Sequence, residues 1–209
     1  MNDLSDARNL KALFIDYLFK NIKQKDVIGS EIMFGSRKGV ADLIMLSNGF
    51  TSAYEIKAQN DDFRKIKLQL DSYNKTFDYV YLITTEKHLL KAMNEVPKNN
   101  GIIIIYNDSS IKDFRESKQN IKLSKEEMLN TMTIKFLEKE HHFVSRKMNA
   151  YTLREALKKL DTNTIKENMY QFLYKRIQPR YSNFILERGG KTHFEDIALL
   201  SFKNKRVKI

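Results

Sequence analysis

The chain has no cysteine, so disulfides and thiolate zinc centres are excluded, and a reducing compartment is compatible with its chemistry. With only 7 glycines and 2 prolines in 209 residues, little of it is suited to long irregular loops. Long apolar runs are also missing. The longest uninterrupted aliphatic stretch is Ile102 to Ile105, far short of a bilayer span. The start, Met1-Asn2-Asp3-Leu4-Ser5-Asp6, lacks the basic and apolar regions of an export signal. These absences lead to the expectation of a soluble, cytoplasmic protein with no membrane partner.

What is present is charge and a moderate core. Apolar residues make up 42% of the chain, enough for one packed domain or a domain with an appendage. The net charge is +11, a balance that favours a polyanion and nucleic acid above all. It is unevenly shared: residues 1–123 hold 19 basic and 16 acidic side chains, whereas residues 124–209 hold 18 and 10.

Apolar spacing at Leu10, Leu13, Phe14, Tyr17, Leu18 and Ile22 predicts a first helix within residues 4–22. Three short segments follow, Glu31 to Phe34, Ala41 to Leu46 and Ser52 to Ala58, with glycines between them. They read as a β-meander, with Asn48-Gly49 as a hairpin turn. Phe63, Ile66, Leu70, Tyr73 and Phe77 then recur at helical spacing. Tyr79 to Thr84 and Gly101 to Tyr106 read as strands buried on both faces, with a helix at His88 to Val96 between them. The expected class is α/β: an αβββαβαβ mixed-sheet core over residues 1–123, followed by a basic helical region over 124–209.

The polar stretch 107–123 marks the expected boundary. After it, Ser124, Thr152, Thr164 and Thr192 each precede a glutamate by three residues, the spacing of a capping box. Helices at 153–160 and 165–177, joined by a short turn, suggest a helix-turn-helix.

The chemistry is concentrated in the strands. Glu55 and Lys57 are two apart and share one strand face. Asp42, on the neighbouring strand, can bring a second carboxylate beside Glu55. A carboxylate in an otherwise apolar strand is costly unless a cation or strong partners accompany it. Two carboxylates and an amine suit a hard cation, Mg²⁺ or Mn²⁺, and an activated water. In this reading the ligands are Asp42, Glu55 and the Ile56 carbonyl, helped by Glu31, and Lys57 primes the water. Gln69 follows on the next helix, sharing a face with Lys65 and Tyr73. Tyr73 reads as core. Lys38, Lys65, Arg176, Arg180, Lys205 and Arg206 are candidates for phosphate contacts.

Asp42 with Glu55-Ile56-Lys57, in the αβββαβ order, resembles the PD-(D/E)XK nuclease superfamily over residues 5 to 106. More narrowly, Tyr54-Glu55-Ile56-Lys57 followed by Gln69-x-x-x-Tyr73 and an aliphatic strand looks like a locus-tag-named family of bacterial and phage proteins within it. Glu31 matches that family's first-strand glutamate, and Val40-Ala41-Asp42 its Arg-Ala-Asp-like tripeptide. Ala41 stands where many members carry proline, and the nearby basic residues are Arg37 and Lys38. The resemblance implies a restriction-endonuclease-like fold, metal-dependent hydrolysis of DNA, and Gln69 at the active site. Cutting both strands would call for two sites, hence a homodimer. RNA as substrate, and a non-catalytic DNA-binding protein on the same fold, are the alternatives.

Overall fold

The computed structural model describes residues 3–141 and 148–202. The first helix, α1 (Ala7–Leu18), is capped by Asp6, whose carboxylate accepts from the Arg8 N–H at 2.8 Å. Its inward face carries Leu10, Phe14 and Ile15, with Lys11 between them. Strands β1 (Val27–Phe34), β2 (Gly39–Ser47) and β3 (Phe50–Lys57) form the expected antiparallel meander. At its second turn Asn48 has φ 51° and Gly49 φ 82°. That left-handed pair lets a two-residue loop follow the strand twist.

Helix α2 (Ile66–Asn74) crosses over to β4 (Tyr79–Thr85), which pairs parallel with β3. A 3₁₀ turn (Glu86–His88) and α3 (Leu89–Glu95) lead to β5 (Gly101–Ile105), parallel with β4. This is the predicted order. The sheet then gains one strand that the sequence did not signal, β6 (Ile111–Arg115), antiparallel to β5. It lies inside the polar stretch read as a boundary. A short edge strand whose exposed positions are Lys112, Asp113 and Phe114 carries too little apolar alternation to be recognised.

Four α-helices, α4 (Lys125–Thr131), α5 (Ile134–Glu140), α6 (Ala150–Leu157) and α7 (Thr162–Glu187), pack on the same sheet face as α2. The opposite face takes α1 and the short α8 (Ile197–Leu200). Gly29 of β1 permits the close approach of α7, since a Cβ there would stand 2.9 Å from Ile177 Cγ1. Of the expected capping boxes, Ser124 caps α4 and accepts from the Glu127 N–H. Two others are displaced by a turn. Asn149 and Asp161 cap α6 and α7 three residues earlier, accepting from the N–H groups of Thr152 and Thr164. The fourth, Thr192, caps no helix; Asp196 precedes α8. No helix among the described residues is long and apolar enough to cross a membrane.

One irregularity shapes the region of interest. In β1, Val27 belongs to the α2/α7-side core but Ile28 to the opposite one, whereas further on Ile32 and Phe34 both join the α2/α7 side. In β2, Ala41 lies on the α2/α7 side, Leu43 on the other, and Ile44 and Leu46 on the α2/α7 side again. Strict alternation would put residues an even number apart on one face. It therefore reverses at Glu31 and at Asp42. The β1–β2 ladder pairs Ser30 with Leu43 and Ile32 with Ala41, leaving Glu31 and Asp42 opposite each other but out of the pairing. Glu31 also has φ 55°, a left-handed conformation costly for a side chain with a Cβ.

Candidate functional site

The carboxylates gather where the ladder breaks. β3 delivers Glu55, 2% exposed, toward α2. Its Oε1 accepts from Gln69 Nε2 at 2.6 Å and pairs with Lys57 Nζ at 2.9 Å. Its Oε2 accepts from the Tyr73 hydroxyl at 2.7 Å. The Glu55 carboxylate is thus met by one ammonium and two neutral donors.

Gln69 and Tyr73 reach the same carboxylate because they are one helical turn apart on α2. Tyr73 is in the core, as expected, packed edge-on against Phe34 with ring centres 5.0 Å apart. Its hydroxyl nonetheless belongs to the site. Burial, followed by the charges of Glu55 and Asp42, pushes the phenol well above its ordinary pKa and keeps it a neutral donor.

Asp42 takes a different anchor. Its Oδ2 accepts from the Ile56 N–H at 2.9 Å, bridging β2 to β3 just beyond their last paired residues. Burial first, then the negative charge of Glu55, push its carboxyl up to about 7. Lys11 and the Ile56 N–H pull the other way, while Glu31 adds to the rise. A carboxylate so placed is short of positive charge.

Lys11, which sequence reasoning passed over, is the nearest remedy. This lysine from α1 is 7% exposed, pairs with Glu31 Oε1 at 2.5 Å and donates to the Ser30 hydroxyl at 3.2 Å. The Ser30 hydroxyl in turn donates to the Asp42 carbonyl at 3.1 Å. The missed signal was a lysine set between Leu10 and Phe14 in the apolar stripe of α1.

Lys11, Glu31, Asp42, Glu55, Ile56, Lys57 and Gln69 line one cavity of about 460 Å³, with Arg8, Asp61 and Asp62 at its wall. All the residues read from the sequence as catalytic or metal-binding therefore converge. The phosphate-contact candidates disperse. Lys65 precedes α2 and lines a neighbouring cavity with Gln69 and Tyr73. Lys38 and Arg176 share a third cavity, which Glu31 also lines. Arg180 lies on the exposed side of α7, over the Phe202 ring, and donates to the Ser201 carbonyl at 2.8 Å. Lys205 and Arg206 lie outside the described residues.

Among the described residues, no three histidine, aspartate or glutamate side chains form a ready metal cage. Mg²⁺ does not require one: it is commonly held by one or two carboxylates, with waters and substrate phosphates completing its shell. Two features suit that mode. Asp42 and Glu55 repel each other across a partly dry site. Gln69 Oε1 is buried with no hydrogen-bond partner among the described residues. Its orientation is fixed because the carboxylate of Glu55 requires the NH₂ group. The site therefore offers both unneutralised negative charge and a free acceptor.

Comparison with known proteins gives three findings. Protein cII of Enterobacteria phage P4 is 22% identical over 224 residues, covering 99% of this chain and 81% of that protein. A solved structure from Silicibacter pomeroyi, the SPO1766 protein of unknown function, matches 71% of this chain and 96% of its own at 15% identity, with a TM-score of 0.41. The family model described as bacteriophage P4 protein cII matches residues 1–201, so the chain belongs to that family.

Proposed function

We propose that the protein is a Mg²⁺- or Mn²⁺-dependent nuclease that hydrolyses DNA phosphodiester bonds, with the PD-(D/E)XK pattern as its active site. The observation that carries this reading is the convergence of Asp42, Glu55 and Lys57 on one cavity, with Asp42 held up to about 7 by burial and Glu55. Sites that gather like charges and perturb them are candidates for chemistry.

In this reading Asp42, Glu55 and the Ile56 carbonyl hold the ion, with Glu31 beside them. When bound, the ion lowers the pKa of water and offsets charge on the phosphate. Tyr73 and Gln69 fix the Glu55 carboxylate from the α2 side, so that it does not reorient during turnover. Lys57, 2.9 Å from Glu55, orients the attacking water and stabilises negative charge developing on the phosphate. Lys11 balances Glu31 and lowers the proton affinity of Asp42. The net charge of +11 draws DNA to the surface.

A second reading is a DNA-binding protein with a silent site. Its support is that both Glu55 oxygens are already engaged, by Gln69, Lys57 and Tyr73. A cleavage panel over single-stranded, duplex and branched DNA, with Mg²⁺ or Mn²⁺ and with chelator, decides between them. The nuclease cuts only with metal and stops cutting in Glu55→Ala. The binder retards DNA in chelator and never cuts.

A further inference from the structure

Among the described residues, Arg176 of α7 is a cation without an anion. Its guanidinium lies 5.2 Å from the Phe172 ring centre and 4.9 Å from that of Phe202, and the residue is half-buried. Among the described residues it makes no hydrogen bond and no ion pair. Its planar fork of five N–H donors is thus held between rings with no acceptor, an arrangement suited to a phosphate. The second ring is itself anchored: the Phe202 N–H donates to the Ser30 carbonyl at 3.1 Å, where Ser201 bridges to β1.

The fork opens on a cavity of about 630 Å³ that Glu31 also lines, so it adjoins the cavity holding Asp42 and Glu55. Lys38 adds a second positive charge at its wall. The ledge beside Glu31 is apolar. Met33 and Val40 face each other across β1 and β2, and remain 51% and 45% exposed. Reading a duplex requires an element that protrudes into a groove. This site is a recess, and it combines a phosphate fork with an apolar shelf. That combination fits a nucleotide whose base is free to leave the stack.

We infer that this cavity binds an unpaired DNA strand, with a phosphate on Arg176 and a base against Met33 and Val40, and leads it past Glu31 to the Glu55 site. The preferred substrate is therefore single-stranded or forked DNA rather than an intact duplex. Naming the strand as one to be cut rests on the nuclease reading; the binding does not.

Fluorescence anisotropy in EDTA, with labelled single-stranded, forked and blunt-duplex oligonucleotides, tests this without turnover. Single-stranded and forked DNA should bind at least about tenfold tighter than blunt duplex, on the scale of one good stacking contact. Arg176→Ala should weaken single-strand binding by about tenfold and flatten its log–log salt slope by about 0.7, the release expected from one lost phosphate contact. Met33→Asp, at an exposed position that spares the core, should also weaken single-strand binding while changing duplex binding by less than about twofold. Equal affinity for all three DNA forms would overturn the proposal, as would wild-type single-strand binding in a folded Met33→Asp protein. A single-strand preference in EDTA, with no cutting of any form in Mg²⁺ or Mn²⁺, would keep the binding site and remove the nuclease.

Discussion

Lys11 and Glu31 meet at 2.5 Å between α1 and β1, at the residue where the side-chain alternation of β1 reverses. The ion pair spans that irregularity and places a positive charge beside Asp42. Lys11→Met removes it, leaving Glu31 unpaired and the Asp42 carboxyl higher still. The acidic limb of the pH–rate profile should then move to higher pH, with the largest loss of rate near pH 7 and recovery in more alkaline buffer. A uniform loss at every pH would show that Lys11 acts only on folding.

Asp42 makes stability depend on pH in an unusual direction. Its folded-state pKa, about 7, lies above the ordinary 3.8. Between those values the folded protein binds more protons than the unfolded chain, so stability is retained at low pH and lost as pH rises through 7. In EDTA, Asp42→Asn should melt higher than the wild type at pH 8, by at least about 3 °C, the shift produced by about 1 kcal/mol in a domain of this size. The difference should vanish near pH 4. Mg²⁺ or Mn²⁺ should raise the wild-type melting temperature at pH 8 and leave Asp42→Asn nearly unmoved. Thermal melts across pH, with and without metal, provide the check.

Lys57 separates chemistry from binding. Lys57→Ala should lower the cleavage rate by about 10²-fold or more, as removal of one preorganised electrostatic group does, and leave DNA affinity in EDTA within about threefold. Single-turnover rates beside anisotropy titrations distinguish the two effects. A rate loss under about threefold would remove Lys57 from the mechanism.

Much of this architecture is written in local patterns. The meander, the α2 crossover and the buried strands β4 and β5 follow from apolar period and turn residues alone, because packing in them obeys simple alternation. Glu55, Lys57 and Gln69 could be brought together for the same reason: a strand period of two and a helix that returns over its face. What local patterns conceal is any break in them. The reversal at Glu31 and Asp42 lies inside the ladder of two successive strands, where neither strand's own apolar spacing marks it, and it changes which side chains are neighbours. Lys11 was hidden because a lysine in an apolar stripe reads as an interruption until its partner, 20 residues away, is known. The caps of α6 and α7 were displaced for a different reason. Asn149 and Asp161 are as competent as the hydroxyls three residues on, and each accepts from the N–H of that later residue, so the helix begins one turn earlier.

Tyr73 tests whether the core positions the site. Tyr73→Phe deletes one hydroxyl and keeps the ring against Phe34 and Phe77. Glu55 then loses its Oε2 donor while Gln69 and Lys57 still hold Oε1. A lost hydrogen bond to a buried charged group costs about 1.5–3 kcal/mol, so the metal-free protein should melt several degrees lower. Cation binding to the freed oxygen would offset part of that loss, so Mn²⁺ should stabilise Tyr73→Phe more than it stabilises the wild type. The cleavage rate should fall less than in Lys57→Ala, because the phenol touches the carboxylate and not the reacting phosphate. Calorimetric titration with Mn²⁺ and melts of both proteins measure the difference. Equal stabilisation of the two would mean that the Oε2 side of Glu55 does not face the ion.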